Sequence, residues 1–120
     1  MDYSDITSAL SAAGIDVMLP GAKQDVCLAP YVVVQRLGTF PFAGTRGAGY
    51  SLVAVHCFVP LGRYPSLAPL AERVKDALRP LEPDLRPSGG ESAHFINDRF
   101  RAHAVTLQYV VLRTLRHLSE

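Results

Sequence analysis

Tryptophan is absent from this chain, and cysteine occurs only twice, at Cys27 and Cys57. Two cysteines are too few for a disulfide scaffold or a four-cysteine zinc site, and their spacing matches no CxxC motif. An excess of one charge sign is also missing, since twelve basic and eleven acidic side chains leave a formal charge of +1. A dedicated nucleic-acid binder carries a basic excess, because phosphate neutralisation supplies most of its affinity. Near neutrality weighs against that class, and equally against an acidic-substrate funnel or a polybasic membrane patch. No long hydrophobic run is present: the longest apolar-rich stretch, Tyr50 to Leu61, falls well short of the ~20 residues that span a bilayer. The chain opens Met-Asp-Tyr-Ser-Asp, acidic rather than basic and with no apolar core after it, so no secretory signal is expected. These absences predict a soluble chain whose thiols stay reduced. What is there is 120 residues, 48% hydrophobic and 19% charged, the make-up of one globular domain spanning the whole chain and not of a disordered polypeptide.

The apolar spacing predicts a first helix over Ser4 to Ala13, with Ile6, Ala9, Leu10 and Ala13 on one face. Ser4 or Asp2 can cap it, Asp5 in the first turn complements the helix dipole, and Gly14 suits the left-handed residue that closes a helix. Ile15 to Leu19 follows as a short extended piece ending at the turn signal Pro20-Gly21. Pro30 opens a β-branched strand, Tyr31 to Leu37. Gly38 to Gly49, with four glycines and a proline, is the tip of a long hairpin whose second strand runs Tyr50 to Val59. Both alternating faces of that strand are largely apolar. Tyr50, Leu52, Ala54, His56 and Phe58 make one face, and Val53, Val55, Cys57 and Val59 the other. Either both faces are covered within the domain or one meets a neighbouring subunit. Ser66 can cap a helix over Leu67 to Leu78, the best-patterned amphipathic segment, which Pro80 ends. Leu81 to Glu91 reads as a proline- and glycine-broken loop, Ser92 to Ile96 as a short strand, Asn97-Asp98 as a turn, and Arg101 to Leu112 as a long last strand. The order is helix-strand-strand-long hairpin loop-strand-helix-strand-strand. It predicts an α+β fold, a mostly antiparallel sheet with two helices packed on it.

Chemistry-bearing residues are sparse. His94, Asp98 and His103 lie close across the last hairpin, and His56 is expected beside His103 if the two long strands pair. Their spacing matches no metal-ligand signature, and ordinary structural histidines are the favoured reading, so no metal is expected. Cys57 reads as a small buried hydrophobe and Cys27 as the more exposed thiol. No Gly-x-Ser-x-Gly elbow is present. Gly44-Thr45-Arg46-Gly47-Ala48-Gly49 lacks the lysine–hydroxyl pair of a phosphate loop and precedes a strand instead of opening a helix. On these observations an enzyme reading is weak. Competing readings are a small metal-dependent hydrolase using His56, His94, Asp98 and His103, and a small-molecule binding domain with the sheet as its floor. Basic residues gather late in the chain, at Arg99, Arg101, Arg113, Arg116 and His117, and acidic ones early, at Asp2, Asp5 and Asp16. That asymmetry suits head-to-tail association of identical subunits.

The first helix, the strand segment Ala29-Pro30-Tyr31-Val32-Val33-Val34-Gln35, the long loop and the Tyr50 to Val59 strand form a recognisable order. It continues through the helix Leu67-Ala68-Pro69-Leu70-Ala71-Glu72-Arg73-Val74-Lys75-Asp76-Ala77-Leu78 and the turn Asn97-Asp98-Arg99-Phe100 before the last strand. Over nearly the whole chain this order resembles the tail terminator and minor tail proteins of tailed bacteriophages. The resemblance implies a structural virion protein, not an enzyme and without a cofactor, assembled in the host cytoplasm. It would form a ring, typically a hexamer, at the end of the tail tube, stop tube polymerisation and join the tail to the head. The partners implied are further copies of the chain, the major tail tube protein and a head-completion or connector protein. DNA passes through the ring, and no membrane is involved. Subunit or tube contacts are expected at Arg36, Phe40, Phe42, Arg46, Tyr50, Arg99 and Arg101. The last two suit a subunit interface or rim better than a DNA-passing lumen. Another head-tail connector or neck component is the nearest alternative.

Overall fold

The computed structural model describes residues 3–18, 27, 29–41, 49–82, 84–98 and 101–113. The elements run α1 (Tyr3–Ala12), β1 (Val17–Met18), β2 (Tyr31–Pro41), β3 (Gly49–Pro60), a 3-10 segment (Leu61–Ser66), α2 (Leu67–Leu78), a short 3-10 turn (Arg79–Leu81), β4 (Leu85–Glu91), β5 (Phe95–Asn97) and β6 (Ala102–Arg113). The strands form one sheet in the order β1-β2-β3-β6-β4, with β5 also paired to β6. Only the β1–β2 pairing is parallel; the others are antiparallel. This is the α+β fold expected, two helices on a mostly antiparallel sheet.

One face of the sheet is the main core. Val32 and Val34 of β2, Val53, Val55, Cys57 and Val59 of β3, and Val105, Leu107 and Tyr109 of β6 meet Ile6 and Leu10 of α1 and Leu67, Leu70, Val74 and Leu78 of α2. β-branched residues on the strands and leucines on the helices divide this core as their stiffness dictates. α1 ends as Gly14 allows. Its φ is +79°, its N–H donates to the Ser11 carbonyl (3.0 Å), and Ile15 N–H reaches back to the Leu10 carbonyl (3.1 Å). Leu10 and Ile15, both buried, supply the apolar contact that accompanies this two-bond helix stop. The Arg73 guanidinium of α2 donates to the freed carbonyls of Ala13 and Gly14 (3.3 and 3.4 Å), tying the two helices together where the α1 dipole is negative.

Three local expectations are corrected. Ser66 does not cap α2 with its side chain; the preceding 3-10 segment runs straight into the helix, and Leu67 N–H donates to the Tyr64 carbonyl instead. Leu85–Glu91 is a strand, not part of a loop. Its prolines and glycines are tolerated because β4 is an edge strand paired on one side only and irregular between Pro87 and Glu91. Buried Leu85 pins it to the core. His56 does not neighbour His103: His56 lies opposite Thr106, and His103 opposite Val59. Strand alternation therefore puts the two histidines on opposite faces of the sheet.

The molecule measures 49 × 25 × 25 Å with a radius of gyration of 15.3 Å, against roughly 14 Å for a compact chain of this length. Leu78→Ala, at a fully buried α2 position, should lower unfolding free energy by about 2–5 kcal/mol, read as an earlier urea midpoint at unchanged slope.

Candidate functional site

The sheet's second face is built differently at its two ends. Near the β3 C-terminus, Cys27, Tyr31, Phe58, Ala102 and Ala104 form a second small core, with Met18 and Val33 packed against it. Tyr31 and Phe58 stack with ring centroids 5.1 Å apart. Toward the hairpin end, Leu52 and Val110 are only half-buried and Phe40 is 41% exposed. Between the two lies a polar crossbar over three strands. The His56 Nε2–H donates to Gln35 Oε1, and Nδ1 accepts from the Thr106 hydroxyl, each at 2.9 Å. Burial lowers the His56 pKa below the ordinary 6.5, so this imidazole is held neutral.

Phe40 reaches this face through a β-bulge. The register of β2 on β3 shifts between Arg36 and Gly38: Arg36 lies opposite Val53, Gly38 opposite Leu52, and Phe40 opposite Tyr50. Arg36 thus shares the helix side of the sheet, while Phe40 and Tyr50 share the second face and stack at 5.3 Å. Gly38 has φ +151°, and a Cβ there would meet the Phe40 ring at 3.3 Å, so glycine serves both backbone and packing.

Of the contact residues expected from sequence, Phe40 and Tyr50 therefore meet at the hairpin end of the second face, while Arg36, opposite Val53, lies on the helix side. Arg101 stands at the other end, exposed, with φ +49° in the turn before β6. Tyr50 pairs with Leu112 and Pro60 with Ala102, so ten residues of strand, roughly 33 Å, separate the two groups. Phe42, Arg46 and Arg99 lie outside the described residues, as do Asp2, Arg116 and His117. Of the late basic residues, Arg101 precedes β6 and Arg113 ends it, so these two lie at opposite ends of that strand.

The structure does bring His94 and His103 together. His94 Nε2 lies 2.7 Å from His103 Nδ1, and His103 Nε2 donates to the Leu61 carbonyl at 2.9 Å. Tyr64 packs on both rings, with centroids 4.7 and 4.9 Å away. Sequence reading paired the histidines but missed Tyr64 and Leu61, which come from a 3-10 segment about forty residues earlier in the chain. Asp98, expected with them, makes no hydrogen bond to either among the described residues. A cleft of about 300 Å³ adjoins the cluster, lined by Tyr64, Leu67, Ala71, Ser92, His94 and Val105 among others. A second, of about 330 Å³, lies between α2 and β4 beside Lys75, Glu91 and Tyr109. Among the described residues, no three or more His, Cys, Asp or Glu gather as a metal-binding group.

Cys27 is 2% exposed and bonds to the Ala29 carbonyl at 3.3 Å, which corrects the expectation of an exposed thiol. Cys27 itself packs in the small core on the sheet's second face. Cys57 is buried in the main core, and desolvation pushes its pKa up to about 12.

No protein-family model matches the chain, and no curated protein matches it. Seven solved chains are similar to it. One of them is 15% identical, with a TM-score of 0.52 over 90% of this chain and 86% of its own. At that identity the likeness establishes the fold alone. No helix among the described residues is long and apolar enough to cross a membrane.

Two outcomes follow from burial. With Cys57 far from its thiolate and Cys27 covered, a disulfide reagent such as DTNB should label neither thiol in the folded protein and both after denaturation. The lowered His56 pKa costs no stability above 6.5. As pH falls below that value the unfolded chain protonates first, so folded stability is lost down to the lower, folded-state pKa. The drop in thermal midpoint between about pH 8 and about pH 5.5 should be smaller in His56→Gln than in the unaltered protein.

Proposed function

We propose that this chain is a structural tail protein of a tailed bacteriophage, without catalytic activity. In this reading it closes into a ring at the end of the tail tube, stops tube polymerisation and joins the tail to the head. Its partners are further copies of itself, the major tail tube protein and a head-completion or connector protein, with DNA passing through the ring. The observation that carries the reading is the half-exposed apolar end of the sheet's second face, Phe40 of β2, Tyr50 and Leu52 of β3 and Val110 of β6. A monomer gains nothing by leaving stacked aromatics and aliphatics half-exposed, whereas a neighbouring subunit can cover them.

The polarity of the molecule supports a ring over a two-fold dimer. The apolar hairpin end and the Arg101 end lie at opposite ends of β3 and β6, so one subunit can offer a different surface to each neighbour. That is the requirement for head-to-tail closure.

Negative-stain microscopy and sedimentation, with and without purified tail tubes, test this directly. Rings of tube diameter, or tubes capped at one end, are expected. Leu52→Asp should weaken that assembly by about tenfold or more, as loss of a central apolar contact does, while thermal unfolding stays cooperative. A chain that stays monomeric at high concentration and leaves tube length unchanged would overturn the reading. Binding to the connector without any effect on tubes would move it to another neck component.

A further inference from the structure

We propose that His94 and His103 form a binding site for a divalent d-block cation, with copper(II) the preferred ion. The Leu61 carbonyl can only accept a hydrogen bond, so the His103 Nε2 that lies 2.9 Å from it carries the ring proton. In the neutral ring this leaves a bare lone pair on Nδ1, facing His94 Nε2 at 2.7 Å. That is the state a ligating histidine adopts, with one nitrogen free for the metal and the remote N–H anchored on a backbone carbonyl. The anchor is rigid, because β6 is held by β3 on one side and β5 on the other, with His103 opposite both Val59 and Ile96.

His94 is the adjustable partner. It stands exposed on the three-residue link between β4 and β5. Ser92 fastens that link to β6 through two hydrogen bonds with Thr106, both 2.9 Å. Without a cation, His94 Nε2–H donates to His103 Nδ1. Cation binding replaces that shared proton. The His94 proton moves from Nε2 to Nδ1 by way of water, the ring stays neutral, and both lone pairs turn toward the ion. No charge is lost or gained on either imidazole.

The 2.7 Å between the two nitrogens is the length of an N–H···N hydrogen bond, so His94 has to swing aside before both nitrogens can meet one ion. Imidazole nitrogen suits copper, nickel and zinc, and affinity order among divalent ions favours copper. Tyr64 closes one side of the pair. No third His, Cys, Asp or Glu joins it among the described residues, so the remaining positions around the ion are open to water or another ligand.

The test uses the tag-free full chain titrated with copper(II), nickel(II) and zinc(II) by calorimetry, with electron paramagnetic resonance of the one-equivalent copper sample. An axial copper spectrum with nitrogen hyperfine structure is expected, and binding in the order copper, nickel, zinc. His94→Ala, at an exposed position, and His103→Ala should each weaken copper binding by about tenfold or more, while His117→Ala leaves it unchanged. The chain has five tyrosines and no tryptophan, so its emission is tyrosine emission. Bound copper should quench part of it, and Tyr64→Phe should remove most of the quenchable part. Circular dichroism of His94→Ala checks that the fold is kept. Copper affinity unchanged in a folded His94→Ala, nitrogen hyperfine structure that survives in that variant, or no copper binding at all would overturn the proposal.

Discussion

β3 is hydrogen-bonded along its length to β2 on one side and β6 on the other, and every other element is placed by that double pairing. It presents one face to both helices and the other to Cys27 and the hairpin aromatics. Its pattern of valines, alanine, cysteine and phenylalanine, with most positions buried, is what a strand needs when neither face is simply solvent. Moving β3 by one residue would exchange its two faces, sending Val53, Val55, Cys57 and Val59 away from α1 and α2. The fold is therefore specified chiefly by register, and the helices confirm a frame that the strands set.

Some of this was legible in the sequence because the responsible signal is local. The amphipathic spacing of Leu67 to Leu78 gives α2 with the bounds expected. Gly14 ends α1 as a left-handed residue should. The alternation around Val53 to Val59 identifies the central strand. The remainder depended on contacts between distant segments. β4 is hidden by Pro87, Gly89 and Gly90, which read as a loop until the one-sided pairing of an edge strand is known. The partner of a histidine on a strand depends on register, and no local pattern sets His56 against Thr106 rather than His103. Tyr64 and Leu61 carry no motif of their own. They matter because the chain returns past them at His94 and His103. Phe40 was expected in the hairpin loop, but β2 runs on to Pro41 and the bulge after Arg36 sets Phe40 opposite Tyr50, which no local pattern announces.

The near-neutral charge takes on a positional meaning in the structure. Acidic and basic side chains are spread over the helices and the far turn, with Lys75 paired to Glu72 and Glu91 and Arg79 to Asp76. Such exposed pairs add little stability. On the half-exposed second face, exposed Arg86 of β4 stands opposite Val110, and the neutral His56 crossbar is a fixed polar mark.

The bulge after Arg36 has a consequence for how this surface can vary. On a regular strand the side chains alternate, so the one extra residue at Leu37 acts as a half-turn of the strand beyond it. Everything from Gly38 outward takes the opposite phase from everything before. Deleting Leu37 would join Arg36 directly to Gly38 and leave a regular ladder with Phe40 still opposite Tyr50 on the second face. Keeping Leu37 but smoothing the bulge would instead pair it with Leu52, turning Thr39 onto the second face and Phe40 onto the helix side. Whether that one residue is absorbed outside the ladder, independent of composition, thus decides whether the hairpin end presents an aromatic surface or a hydroxyl one.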